Sequence, residues 1–299
     1  MSLPACRRII VGSDLSRGSD AAVRLAIAWA AQTHAELLIL HAATALTDAG
    51  RADLEKSLRV QAMESAAEEM GLEPQFAVVL DDAVHALRAA ASRDGDWLCV
   101  GCEGGSATVL RQAGSIASAL AAATSRPLLL APLGWSAPAR RRARVPGGSG
   151  LPARKRVSAA FGRVLVGMPG TTRDAALIGA GIDQAIAAGG GLALAHVIDV
   201  AATRFHPPAL RGALREQTDA AVLSEKERLT DLSNELVPLD LAARQDVQIH
   251  VMVQGPPERD LAGLARSQSS ELLLVGSGPV AGRLPAFLGC PALVLPVSC

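Results

Sequence analysis

The sequence predicts an α/β protein in which one parallel-sheet domain occurs twice. Short apolar runs alternate with helical stretches along most of the 299 residues, and strands separated by helices form parallel sheets covered on both faces. The run IIVG at residues 9–12 recurs as VLVG at 164–167, and LILH at 38–41 recurs as ALAH at 193–196, both 155 positions later. Two matches at one spacing indicate an internal duplication.

The first copy is predicted to contain five strands and four helices. Its first helix places Val23, Ala26, Ile27 and Ala30 on one face, at amphipathic spacing. Asp81-Asp82 precedes the third helix and is interpreted as its N-cap and first turn, not as a catalytic pair. The strands fit residues 8–13, 36–42, 75–80, 96–101 and 127–131, and the helices fit 17–32, 50–70, 82–93 and 115–124.

The second copy carries an insertion. WLCVG at residues 97–101 recurs as LLLVG at 272–276, now 175 positions later, so about twenty extra residues fall within 201–246. That region includes a charged helix around 223–236. The strands of this copy fit residues 163–168, 191–198, 247–253, 271–276 and 292–296. The predicted domains are residues 1–132 and 161–299, joined by a basic Pro/Gly-rich linker at 133–160.

Composition excludes several classes of protein. The chain is 49% hydrophobic with no net charge, four Phe, three Trp and no Tyr, so base-stacking nucleic-acid modules are not favoured. The arginines of the linker are interpreted as a solvated tether, with binding to nucleic acid or to an anionic surface as the alternative. No signal-like apolar region follows the basic start, and no run reaches the length of a spanning helix, so we expect a cytoplasmic protein without membrane insertion.

Cysteine and histidine patterns suggest packing more than chemistry. Five cysteines without regular spacing do not form a disulfide framework. Cys99 and Cys102 form a C-x2-C, but Cys99 falls inside a strand and Cys102 in a loop, so a redox pair is not favoured. His41 and His196 end equivalent strands and are interpreted as hydrogen-bonded edge residues, not metal ligands.

The clearest functional pattern follows the fourth strand, where residues 101–115 read GCEGGSATVLRQAGS. Glycines let backbone N–H groups approach a ligand, and a helix N-terminus offers unpaired donors and a positive dipole end. A strand, a glycine loop and a serine at a helix start therefore predict an anion site.

Together with IIVGSD at residues 9–14, LILH at 38–41 and DWLCVG at 96–101, the G-x2-G-x9-G-S pattern resembles the universal stress protein family in a tandem form. The resemblance covers nearly everything except the linker and residues 201–246. It implies Rossmann-like, open five-stranded parallel sheets of order 3-2-1-4-5, with Asp14 and Gly101 meeting at a switch point where ligands bind.

In members that bind ATP, the matching acid contacts the nucleoside end, the residue after the second strand lines the base pocket, and the glycine motif surrounds ribose and phosphates. The resemblance thus implies a site for one adenine nucleotide, ATP, with Mg²⁺ as a further option, and a role in stress-response signalling. The residues concerned are Asp14, Ala42, Gly101, Gly104, Gly114, Ser115 and Ile116.

Three departures leave alternatives open. Glu103 stands where such members often carry His or Arg, and a carboxylate beside a polyphosphate is unfavourable without a cation between them. The second copy has Pro169 in place of Asp14 and only fifteen steps from Gly276 to Pro291, so we expect it to bind no nucleotide. A nucleotide-free scaffold of the same fold is therefore the alternative function.

No general base is evident in the pattern, so at most slow ATPase or autophosphorylating activity is expected, and no catalytic residue is assigned. The second copy is expected to pack against the first as an intramolecular pseudo-dimer through the final strands, and a homodimer stays open. Protein partners are not indicated by any motif.

Overall fold

A computed structural model of the chain describes residues 3–65, 67, 70–103, 115–136, 161–188, 190–199, 211–237 and 247–296. These residues pack as two compact units. The first unit comprises the described residues from 5 to 116 together with 129–136, and the second comprises 3–4, 117–128 and 161–296. The domain boundaries expected from the sequence stay a prediction, because most of the expected linker lies outside the described residues.

The first half of the chain alternates strands and helices as the sequence predicts. Its elements are β1 (Arg8–Gly12), α1 (Arg17–Thr33), β2 (Glu36–Ala43), α2 (Asp48–Glu64), β3 (Gln75–Leu80), α3 (Ala83–Ala90), β4 (Asp96–Gly101), α4 (Ser115–Ala122) and β5 (Leu128–Ala131). Three helices carry side-chain caps at their starts, from Ser16, Thr47 and Asp82. The interpretation of Asp82 as an N-cap is confirmed, since it accepts the N–H groups of Val84 and His85.

Two helices end earlier than the sequence predicts. The prediction extended α2 to residue 70 and α3 to residue 93, whereas they end at Glu64 and Ala90. Tertiary contacts stop α3, because the carbonyl oxygen of Ala90 accepts from Arg8 Nη2 at 2.8 Å, and the N–H of Arg93 donates to Asp96 Oδ2 at 2.8 Å. A helical pattern in sequence cannot foresee such partners.

The second half repeats the alternation with an enlarged helix. Its elements are β6 (Arg163–Met168), α5 (Asp174–Ala188), β7 (Gly191–Asp199), α6 (Arg211–Leu236), β8 (Gln248–Gln254), α7 (Pro257–Ser267), β9 (Leu272–Gly276), α8 (Pro279–Arg283) and β10 (Ala292–Leu295). The charged helix expected around residues 223–236 is α6, which begins earlier than expected, at Arg211. Pro257 occupies the first position of α7, where a missing N–H costs nothing.

Strand order and register are the same in both halves. The first five strands are ordered β3-β2-β1-β4-β5 and the last five β8-β7-β6-β9-β10, and the paired strands run parallel. Val11 lies opposite Ile39 and Cys99, and Val166 lies opposite Leu194 and Leu274. These partners differ by the offsets of the sequence repeat, 155 and 175. The predicted α/β class and strand order are confirmed.

Small aliphatic side chains build the core of the first unit. Ile9, Ile10 and Val11 in β1 are 0% exposed, and most of α1 is buried through alanines. The rings of Trp29 and Trp97 lie 5.5 Å apart between centroids. Alanines let α1 approach β1 and β4 closely, so the strand ends are held by a tightly packed scaffold.

Candidate functional site

The carboxyl ends of three neighbouring strands meet at one edge of the first unit. β1 pairs in parallel with β2 on one side and with β4 on the other. Just beyond the end of β1, the N–H of Ser13 donates to the carbonyl oxygen of Leu40 in β2 at 2.9 Å. The chain connects β1 to β2 but reaches β4 later, so this edge is the switch point at which open α/β sheets bind ligands.

Asp14 follows β1 at this edge and is exposed. Its Oδ1 accepts a hydrogen bond from the N–H of Ser16 at 3.0 Å. Ser16 caps α1, and its hydroxyl accepts the N–H of Ser19 at 3.3 Å. The chain itself therefore satisfies part of the hydrogen-bonding capacity at the start of α1.

Gly101 ends β4 where the backbone of α1 passes very close. A Cβ at Gly101 would lie 2.5 Å from the carbonyl oxygen of Gly18, and a Cβ at Gly18 would overlap the carbonyl oxygen of Glu103. Two glycines therefore allow β4 and the residues after it to cross the first turn of α1. Gly101 has a packing role in addition to any role in binding.

The remaining residues of the expected site are only partly described. Ala42 is half-buried in β2, opposite Val79. Ser115 is the first residue of α4, and both it and Ile116 are exposed. Gly104 and Gly114 lie outside the described residues.

His41 and His196 occupy equivalent places in the two units. His41 Nδ1 lies 2.8 Å from the carbonyl oxygen of Ser13, and His196 Nδ1 lies 3.1 Å from that of Met168. A carbonyl oxygen only accepts, so Nδ1 carries the proton in both rings. The prediction that these histidines are hydrogen-bonded edge residues is confirmed, and each ties the end of one strand to its neighbour.

The described residues offer no ready redox or metal chemistry. Cys99 and Cys102 are buried and form no disulfide bond with each other, and Cys99 Sγ donates to the carbonyl oxygen of Ala22 at 3.4 Å. Burial raises the pKa of the Cys99 thiol, which disfavours the reactive thiolate. Within the described part of the chain, no group of three or more His, Cys, Asp or Glu side chains is arranged to hold a metal ion.

Comparison with known proteins identifies the first half of the chain. Residues 5–132 match the model of the universal stress protein family. This part of the chain is a universal stress protein domain. A search among curated proteins found no match for the sequence.

Similar solved structures extend the fold of the universal stress protein domain beyond residue 132. A universal stress protein from Archaeoglobus fulgidus DSM 4304 is 15% identical, with 97% of this chain and 98% of that chain covered and a TM-score of 0.57. A functionally unknown protein from Pseudomonas aeruginosa PAO1 is 16% identical, with 98% and 93% covered and a TM-score of 0.58. These likenesses show that the fold spans nearly the whole chain.

One further structure, a universal stress protein in complex with cAMP, is 26% identical over 43% of this chain and 99% of that chain, with a TM-score of 0.35.

In the described residues of our chain, none of the helices has the length and apolar character needed to cross a membrane.

In the second unit, an ion-pair cluster lies at the ends of β6 and β7, where the universal stress protein domain of the first unit has its switch point. Arg228 of α6 donates to Asp174 Oδ2 and to both carboxylate oxygens of Glu225, and His196 Nδ1 lies 3.6 Å from Glu225 Oε1. Asp174 is 1% exposed. The hydrogen bonds that Glu225 accepts from Arg228 lower the pKa of Glu225. The hydrogen bonds that Arg228 donates to Glu225 and Asp174 raise the pKa of Arg228.

The turn after β6 differs from its counterpart in the first unit. Pro169 stands where the first unit has Asp14, and Gly170, with φ of 72°, packs so closely on the His196 ring that a Cβ would overlap it. Helix α8 begins at Pro279, three residues after β9, whereas α4 begins fourteen residues after β4. Arg283 of α8 pairs with the buried Glu258 at 2.9 Å.

Sequence reasoning missed the arginine cluster of the second unit. Asp174 and Arg228 are 54 positions apart, and neither belongs to a recognisable motif. The only signal was the charged character of the inserted helix. Arg228 is bound to both carboxylates, so it is not available as a free cation for a phosphate.

Proposed function

We propose that the universal stress protein domain binds one adenine nucleotide, ATP, in the first unit and acts as a regulator in a stress response. The observation that carries this proposal is an exposed carboxylate, Asp14, at the end of β1, where β2 and β4 flank it at the switch point. In this proposal Asp14 holds the ribose, whose hydroxyls donate to a carboxylate.

The other residues of the site divide by the part of the nucleotide they would contact. Ala42, a small half-buried residue, leaves room for the base. In this proposal the start of α4 supplies N–H donors for the phosphates, to which the Ser115 hydroxyl adds another. We propose the same surroundings for Gly104, Gly114 and Ile116. Mg²⁺ could enter with the phosphates, held by them and by water.

A nucleotide-free scaffold is the second candidate function. Glu103, two residues after the end of β4, favours it because its carboxylate would repel a polyphosphate. The two candidates separate in a melting experiment. ATP at 100 times its Kd stabilises a binding protein by about 2.7 kcal/mol, whereas a scaffold melts at the same temperature with and without ATP.

Asp14→Ala is expected to weaken ATP binding by about tenfold to a hundredfold, because a charge-assisted hydrogen bond contributes about 1.5–3 kcal/mol. Isothermal titration of the full chain measures the Kd and also the stoichiometry, which we expect to be one nucleotide per chain. Asp14 is exposed, so its loss should leave the fold intact.

Asp53→Ala is the matched control, since Asp53 is an exposed carboxylate on α2. It should bind ATP as the wild type does. Equal affinities of Asp14→Ala and Asp53→Ala would reject Asp14 as a ligand-binding residue. Two equal sites per chain would reject the assignment of the site to the first unit alone.

Glu103→Gln is expected to tighten ATP binding about fivefold at low salt in EDTA. It removes a like charge whose repulsion across about 4 Å of water is worth about 1 kcal/mol, and the gain should shrink as salt screens it. The Kd is measured at two ionic strengths, with Glu235→Gln, an exposed change on α6, as control. Unchanged or weaker binding at low salt would contradict the repulsion.

A further inference from the structure

A buried polar network lies beneath the turn that carries Asp14. Ser13, Ser19 and Gln61 are only 6%, 4% and 6% exposed. Buried polar groups cost free energy unless they are paired. Gln61 belongs to α2, 48 positions from Ser13 in sequence, so the network joins that helix to the end of β1.

The hydrogen bonds of this network can run in only one direction. Gln61 Nε2 donates to Asp20 Oδ1 at 2.6 Å, because an ionised carboxylate only accepts. The other end of the amide, Oε1, therefore accepts the hydroxyl of Ser13 at 2.7 Å. With its proton so engaged, Ser13 Oγ accepts the N–H of Leu15 at 3.1 Å.

The turn held in this way is strained. Leu15 has φ of 60°, in the left-handed region that costs a non-glycine residue free energy. His41 Nδ1 donates to the carbonyl oxygen of Ser13 at 2.8 Å. Asp14 thus lies between two residues whose backbones are hydrogen-bonded to the surrounding structure.

Among its described residues, the second unit has no acid at this turn, and a different polar cluster takes the place of the network: the 155-residue offset puts Asp174 at the position of Ser19, and Arg228 binds Asp174. Met168 stands at the place of Ser13, Pro169 at that of Asp14 and Gly170 at that of Leu15. Gly170 adopts φ of 72° without strain. The second unit thus has a left-handed residue at the same place over an Arg228–Asp174 pair, so the glutamine network is specific to the unit that presents the carboxylate.

We propose that Gln61 is a positioning residue for the nucleotide site, which holds Asp14 toward its ligand through Ser13 and the Leu15 turn. This inference rests on the proposed function. Gln61 itself does not touch the nucleotide. It acts by making one geometry of the turn much more stable than others before ATP arrives.

Gln61→Glu tests the inference, because it sets a second carboxylate against Asp20 and removes the donor of the network. We expect the Kd for ATP to rise about tenfold. The double change Gln61→Glu with Asp20→Asn returns a donor to the facing side chain, so its Kd should come back to within about threefold of the wild type. Gln61→Met, which removes both hydrogen bonds without adding charge, should also raise the Kd.

The matched control is Gln184→Glu, the same substitution at a glutamine of α5 that is 4% exposed in the second unit. It should lower the melting temperature yet leave the Kd unchanged. Hydrogen exchange in the ligand-free chain adds a readout independent of ATP. The amides of residues 13–16 should exchange faster in Gln61→Glu than in the wild type, and the double change should restore their protection.

Wild-type affinity in folded Gln61→Glu or Gln61→Met overturns the inference. The inference is also overturned if the Kd rises with the loss of melting temperature to the same extent for the variants at positions 61 and 184. It is overturned as well if the double change does not restore the Kd. A wild-type chain that binds no ATP overturns the proposed function as well, and the exchange data then show separately whether Gln61 holds the turn.

Discussion

Asp96→Asn is expected to reduce the free energy of unfolding by about 3–5 kcal/mol, the usual effect of removing one partner of a buried ion pair. Asp96 is 2% exposed at the start of β4, and Arg8 binds both of its oxygens, Nε to Oδ1 at 2.9 Å and Nη2 to Oδ2 at 2.7 Å. The same carboxylate accepts the N–H of Arg93. The loss would leave the Arg8 guanidinium half-satisfied in the first unit.

The ion pair also makes stability depend on pH. Burial acts to raise the pKa of Asp96, but the hydrogen bonds from Arg8 and the Arg93 N–H outweigh it, so the folded pKa lies below the usual value. The contribution is therefore complete above about pH 4, the pKa of an unfolded aspartate, and is lost as the pH falls through the lower folded value.

Urea unfolding at pH 7 and at pH 3 measures both effects. The difference in stability between the wild type and Asp96→Asn should be largest at pH 7 and smaller at pH 3. Asp53→Asn, at an exposed position on α2, is the control and should unfold with the wild type at pH 7. A loss below 1 kcal/mol at pH 7, or a loss that grows toward acid, would contradict the assignment.

Gly101→Ala is expected to destabilise the first unit by about 2–3 kcal/mol, because the added Cβ would lie 2.5 Å from the carbonyl oxygen of Gly18. Backbone, not a flexible side chain, must move to accept it. The end of β4 would shift away from α1, and ATP binding should weaken with it. Denaturant unfolding and titration with ATP measure the two consequences.

Gly263→Ala provides the opposite expectation for the same substitution. Gly263 lies in α7 with no heavy atom within 4 Å of the position of an added Cβ, so alanine should stabilise by about 0.5–1 kcal/mol through helix propensity. Equal effects at positions 101 and 263 would show that the approach of Gly18 to Gly101 does not constrain the fold.

Gly101 shows that one residue of a motif can have two roles. The G-x2-G-x9-G-S spacing suggested a loop that binds phosphate, and in the structure the first glycine of the motif also lets the backbone of α1 pass close to the end of β4. The two roles are compatible, since the close crossing holds the end of β4 at the switch point. A variant of Gly101 therefore reports on packing as well as binding, whereas Asp14→Ala changes an exposed side chain that accepts a hydrogen bond from the N–H of Ser16.

Local patterns in the sequence were sufficient for much of the fold. Strand positions, the Asp82 cap and the repeat at offsets of 155 and 175 all depend on neighbouring residues or on comparison of the chain with itself. The register of β1 and β6 follows from the same repeat. Asp14 could be predicted as a site residue because it follows the first strand, and the neighbouring strands were recognisable in the sequence.

The tertiary structure alone decided which distant side chains meet. The network from Gln61 to Ser13, the pairing of Arg8 with Asp96 and of Arg228 with Asp174, and the early end of α3 involve partners 48 to 88 positions apart. An isolated polar residue forms no periodic pattern in the sequence. Its structural role therefore depends on its burial and on a hydrogen-bond partner that only folding brings near it. The sequence by itself determined the repeated sheet and the place of the site, and long-range hydrogen bonding decided how that site is held.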